Sequence, residues 1–113
     1  MKLIVAFVKP FKVPELVDAF HQEPGNPGMT VLDAKGFGRQ VEPTAGARSG
    51  ATTDFFEHAL VLVAVPHDQV ESLVGLISQV AHTGRPGDGK VLVLPLEAAL
   101  AISSGERGEA ALG

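Results

Sequence analysis

Four short apolar runs, too brief for helices and closed by glycine, proline or charge, set the terms on which this chain can fold. Leu3–Val8 ends at Lys9-Pro10, Met29–Lys35 runs into the segment GFGRQ, Leu60–Val65 is closed by Pro66, and Val91–Leu94 by Pro95. Their length and their wealth of Val, Ile and Leu read as strands covered on both faces. Between the first two runs, Pro14 is placed to open a helix, and Val13, Leu16, Val17 and Phe20 recur at helical spacing until EPGNPG interrupts them. Between the last two, Asp68 and Glu71 form a capping-box-like pair. Val70, Leu73, Val74, Ile77, Val80 and Ala81 then mark one helix face that ends before Gly84. Val41–Glu57 has neither period and reads as a long loop, while Glu97–Ile102 reads as a short helical turn before a polar tail.

The resulting order is βαβ, loop, βαβ. That doubled unit predicts an α+β, ferredoxin-like sandwich, a four-stranded antiparallel sheet with two helices on one face. With 113 residues there is room for one core, so residues 1–113 are read as a single domain. Because the strand runs are apolar on both faces, the face without helices needs cover, and self-association supplies it.

Charge and composition narrow the partners. A formal charge of −4 and a pI near 5.4 argue against nucleic acid, whose phosphate backbone calls for clustered Lys and Arg. The absence of cysteine excludes a disulfide scaffold, thiolate ligands and thiol nucleophiles. The N-terminal MKLIVAFVKPFK has no cleavage site of small residues, and no apolar stretch approaches the roughly 18 residues of a membrane span. A soluble, cytoplasmic protein is the expectation.

One segment invites a sharper reading. GRPGDGK at Gly84–Lys90 has the letters of a Walker phosphate loop, but such a loop follows a strand, opens a helix and carries Ser or Thr after the Lys. Here the stretch follows a helix, precedes a strand, and has Val91 where the hydroxyl belongs. The ordinary reading is a glycine-rich turn. Gly84, Gly87 and Gly89 with Arg85 and Lys90 still suit a phosphate, because close backbone approach and positive charge are all that binding requires. A second glycine segment, KGFGRQ at Lys35–Gln40, leaves another strand and brings Arg39. Two such segments flanking one sheet point to a nucleotide cleft.

KPFK at Lys9–Lys12, GMTV at Gly28–Val31, KGFGRQ at Lys35–Gln40, TGRPGDGK at Thr83–Lys90 and GERGEAA at Gly105–Ala111 together resemble the signatures of the PII signal-transduction proteins. The resemblance covers the chain outside residues 41–57. It implies a ferredoxin-like homotrimer with an adenine nucleotide in each of three intersubunit clefts, and a sensor that is not an enzyme. It implies that Gly28, Met29 and Thr30 meet the adenine and that the segment like Thr83–Lys90, with Gly87, Asp88, Gly89 and Lys90, grips the phosphates. Gly36, Phe37, Gly38, Arg39 and Gln40 would form the base of a mobile T-loop beside them, with Ala64 and Arg107 also at the nucleotide. Ligand occupancy would set the loop's shape and decide whether it docks on a target such as a membrane transporter.

The departures carry finer expectations. Nitrogen-regulating members bear a modifiable tyrosine in the T-loop, and this chain has no tyrosine, which excludes control by its uridylylation. A family lysine that pairs with 2-oxoglutarate falls at His58, and an imidazole is a poorer carboxylate anchor than an ammonium. Two family arginines that reach the outer phosphates fall at Ala101 and Ser103. Losing two charge-assisted bonds of about 1.5–3 kcal/mol each predicts ADP or AMP binding in preference to ATP, with Arg107 as a partial substitute. Branches of the family with altered T-loops occur beside inorganic-carbon transport and carboxysome genes, and some respond to bicarbonate. This chain resembles such a branch more than a nitrogen regulator, which implies an inorganic-carbon transporter as target and bicarbonate in the room beside a shorter nucleotide.

Other readings stand beside these. Arg39, Arg85 and Lys90 have the alternative of surface cations, and the Glu106–Glu109 charges that of a solvated tail. His21, His67 and His82 lack metal-ligand spacing and read as surface or helix-end residues. Phe37 is expected to be buried against the sheet, and Phe55 and Phe56 to pin the loop's return. The rival functions are a nitrogen regulator binding ATP and 2-oxoglutarate, and a weak nucleotide hydrolase, for which only Asp54 and Asp88 stand near the candidate site.

Overall fold

The structure, a computed structural model, describes residues 1–25, 27–37 and 56–112. Its elements are β1 (Lys2–Val8), α1 (Val13–His21), β2 (Thr30–Gly36), β3 (Phe56–Val65), α2 (Val70–Ala81) and β4 (Lys90–Pro95), with short 3-10 helices at Pro10–Lys12, His67–Gln69 and Gly108–Leu112. The sheet order is β2-β3-β1-β4 with every neighbouring pair antiparallel. Each helix therefore carries the chain past one intervening strand, and the architecture is the expected ferredoxin-like α+β sandwich.

Alternation along the strands separates two faces. Ile4, Ala6 and Val8 of β1 and Ala59, Val61, Val63 and Val65 of β3 are buried against Leu16 and Phe20 of α1 and Val70, Leu73, Ile77 and Ala81 of α2. The intervening residues Leu3, Val5 and Phe7 point to the other face, in register with Ala64, Leu62 and Leu60 of β3. On β4, Leu94 and Leu92 continue that row and are 42% and 45% exposed in the single chain. An apolar face this wide is the physical argument for association.

Several local expectations are corrected. β3 begins at Phe56, inside the stretch read as loop, because Glu57 lies opposite Lys35 and Phe56 opposite Gly36, pairings that no local window contains. Helix α2 has no side-chain cap: a 3-10 turn begins at His67, which puts Asp68 in the turn and not at the cap position. Glu97–Ile102 is not helical. There the chain folds back on itself, with Leu100 bridged to Arg107, and Ala101 and Gly108 donating to Glu106 and Ala99 at 2.9 and 3.0 Å. Gly105, with φ of 77°, makes that reversal available, and the tail then closes in the 3-10 helix.

Candidate functional site

The loop Thr83–Gly89 is built around a carboxylate. Asp88 Oδ2 accepts from the amides of Thr83 (2.8 Å) and Gly84 (3.1 Å), and Asp88 Oδ1 accepts from the Thr83 hydroxyl. Lys9, from the turn after β1, reaches in with its ammonium 3.3 Å from both Thr83 Oγ1 and Asp88 Oδ1. The Arg85 amide donates to Thr83 Oγ1 at 3.1 Å, and His82 Nδ1 lies 3.7 Å from Asp88 Oδ2. The Thr83 hydroxyl above all, then the Thr83 amide, holds the Asp88 carboxyl well below the usual carboxylate range against the opposing effect of burial. Asp88 is thus an anionic brace of the loop, and its carboxylate is spent inside it.

The loop is seated on β1. Gly89 has φ of 104°, and a Cβ built there would stand 1.7 Å from the Phe7 carbonyl oxygen. Directly after it Lys90, exposed, opens β4 opposite Phe7. Behind the loop lies a cavity of about 320 Å³ with Val74, Ile77, Ala81 and Val91 in its walls and Asp88 and Lys90 at its border. At the same end of the sheet β2 finishes in Gly36, whose missing side chain leaves space filled by the Phe56 ring. Phe56 meets the His58 ring edge-on at 5.1 Å, and His58 Nε2 stands 3.3 Å from the Gly87 carbonyl oxygen. Gly36 and Gly87 are thus joined through β3 within one chain, and no subunit boundary is needed to unite them.

The remaining candidate residues are distributed elsewhere. Gly28 and Met29 precede β2 and Thr30 starts it, roughly 20 Å from Gly36 at about 3.3 Å per residue. Met29 packs on the core. Ala64 pairs with Leu3, near the end of β1 far from Phe7. Arg107 is exposed in the C-terminal reversal, which leaves β4 at the end opposite the loop, where the Leu96 amide bonds Met1. Phe37, expected to be buried, is 72% exposed because the edge strand has already ended at Gly36. Gly38, Arg39 and Gln40 lie outside the described residues, as do Asp54 and Phe55. Sequence reasoning singled out His58 and Lys9 but missed what they touch, Gly87 for the first and Thr83 with Asp88 for the second. Lys9 lies 74 positions from Thr83, and only its membership of KPFK singled it out.

The brace gives a direct expectation. A carboxyl whose folded pKa is depressed contributes stability above its unfolded pKa, near 3.8, and loses it as the pH falls through the lower folded value. Amide exchange followed by NMR should therefore show Thr83 and Gly84 still protected at pH 4. Asp88→Ala should remove that protection at every pH while leaving amides in the middle of β3 slow.

Among the described residues no helix is long and apolar enough to cross a membrane, and no three His, Cys, Asp or Glu side chains group as a metal site. A family model for nitrogen regulatory protein P-II matches residues 1–106. The chain is 44% identical over 109 residues to the nitrogen regulatory protein P-II of Azospirillum brasilense, covering 96% of each chain. It is 43% identical over 109 residues to the corresponding protein of Rhodospirillum rubrum, again with 96% of each covered. With the nitrogen regulatory protein GlnK of Escherichia coli strain K12 it shares 37% identity over 115 residues, 99% of this chain and 100% of that one.

Proposed function

The chain belongs to the nitrogen regulatory protein P-II family, and from that premise we propose that it is a cytoplasmic signal-transduction protein that reads adenine nucleotides. The observation that carries the reading is the braced glycine loop with Lys90 at its end, sharing one end of the sheet with Gly36. Backbone amides held in a turn beside a lysine suit phosphate oxygens. Gly28–Thr30 lie at the far end of the same sheet, so a site that combines them with Lys90 draws on two copies of the chain. The open apolar face supplies the contact for a trimer with three such clefts.

In this reading the relatives' role in nitrogen regulation extends to this chain. ATP and 2-oxoglutarate would be its effectors, and the long connection between β2 and β3 would dock on a membrane transporter. Signalling is a population shift, because a ligand favours the loop conformers it contacts better. No hydrolytic role is assigned, since the carboxylate nearest the loop is bound within it.

A second reading is favoured by specific departures. The chain lacks tyrosine, Ala101 and Ser103 bring no charge, and His58 is engaged with Gly87. These favour ADP or AMP joined by bicarbonate, with an inorganic-carbon transporter as target. Calorimetry with AMP, ADP and ATP, each alone and with 2-oxoglutarate or bicarbonate, separates the two. Enhancement of ATP binding by 2-oxoglutarate supports nitrogen control, and enhancement of ADP or AMP binding by bicarbonate supports the second reading. Lys90→Ala should weaken binding at least about tenfold, the effect of one charge-assisted hydrogen bond. Failure of all three nucleotides to bind at millimolar concentration overturns both.

A further inference from the structure

The loop is held at its start by the Asp88 brace and at its end by the seat of Gly89 on Phe7, and neither contact orients the peptide between them. That peptide begins at Gly87, with φ of 88° in a region that side chains disfavour, so its own conformational preferences select little. His58 meets its carbonyl oxygen at 3.3 Å. A carbonyl oxygen only accepts, so His58 Nε2 carries the proton and donates it. The half-buried ring is itself fixed edge-on by Phe56, at 5.1 Å and 85°, and by Phe7, at 6.3 Å and 70°. Phe56 in turn fills the space beside Gly36. A continuous path of packed atoms therefore runs from the end of β2 to the middle of the loop.

We propose that His58 is a positioning residue of the phosphate loop. Its Nε2–H selects one orientation of the Gly87 peptide and makes the loop and the paired ends of β2 and β3 move as one unit. The proposal rests on the reading that Gly87–Lys90 receive the phosphates. It adds how occupancy of the loop is felt at Gly36, the last residue of β2 before the long connection. The coupling rests on a donor at the reach of Nε2, and the packing between Phe56 and Phe7 serves to keep that donor in place.

The test compares the wild-type chain with H58L and H58M, which lack a donor, and with H58Q, whose amide donates from a similar distance. ADP and ATP affinity is measured by calorimetry, and amide exchange of residues 83–90 is measured without ligand. Thermal melting shows which variants are folded, and H58M serves should H58L fail to fold. The donor-less variants should bind about fivefold more weakly, the effect of a neutral hydrogen bond, and should exchange faster in the loop. H58Q should stay within about twofold of wild type on both measures. Wild-type affinity and exchange in a folded donor-less variant overturn the proposal, as does an H58Q as impaired as H58L, which would assign the effect to ring packing. If the wild-type chain binds no nucleotide, the functional reading falls, and the exchange comparison alone decides the role of His58. Faster loop exchange only in the donor-less variants upholds it, and equal exchange overturns it.

Discussion

Gly89→Ala is expected to lower the stability of the chain by about 3 kcal/mol or more and to abolish nucleotide binding. Two costs combine. A φ of 104° is strained for any residue with a Cβ, typically by about 1–3 kcal/mol. The new methyl would also stand 1.7 Å from the carbonyl oxygen of Phe7. That oxygen belongs to the backbone of β1, which is paired on both sides with β3 and β4, so it has nowhere to yield. Either the loop lifts from β1 or the start of β4 unpairs, and both displace Lys90. The same substitution at Gly36 meets only the Phe56 ring at 2.8 Å, which a rotation can relieve. At Gly75, inside α2 with nothing within 4 Å, it should raise stability by up to about 1 kcal/mol. Urea unfolding of the three variants gives the ranking, and a Gly89→Ala protein as stable as wild type would show that the loop is not seated as described.

Val5→Asp is expected to dissolve the proposed trimer. Val5 sits at the middle of the central strand on the face that no helix covers, opposite Leu62 of β3 on one side and Leu92 of β4 on the other. In a single chain the side chain is only partly buried, so a carboxylate there still reaches water and the fold survives. Within an interface the same carboxylate is unpaired among Leu and Val side chains, at a penalty of several kcal/mol per copy. Light scattering after size exclusion should show wild-type trimers and variant monomers. Nucleotide affinity should fall with the assembly if Gly28–Thr30 and Lys90 serve one site from two copies. A monomer that binds as tightly as wild type would place the whole site in one chain, and a variant that stays trimeric would move the interface elsewhere.

Much of this was legible beforehand, and what was missed has a common cause. The runs Leu3–Val8 and Leu60–Val65 announced strands because Val and Leu crowd them and no polar residue interrupts them. The helical spacing of Val70, Leu73 and Ile77 announced α2 because one stripe of it is buried. Phe56–Ala59 escaped because Glu57 and His58 make sense as strand residues only opposite Lys35 and Ala34. Asp68 and Glu71 have the spacing of a capping box, yet the chain enters α2 through a 3-10 turn. Both glycine segments stood out in the sequence by composition alone. Their connection through Phe56 and His58, and the brace of Lys9, Thr83 and Asp88, depend on residues that the sequence keeps far apart.

By itself the amino-acid sequence determined the order of strands and helices, the two-faced character of the strands and the glycines around Lys90, because each depends on side-chain period or local backbone freedom. Only the tertiary structure decided that β3 lies between β2 and β1. That placement sets His58 against Gly87 and leaves Gly28–Thr30 at the far end from Lys90. Strand order and register arise from pairing between distant segments, and the free energy of that pairing belongs to the assembled sheet and to no single stretch of the chain.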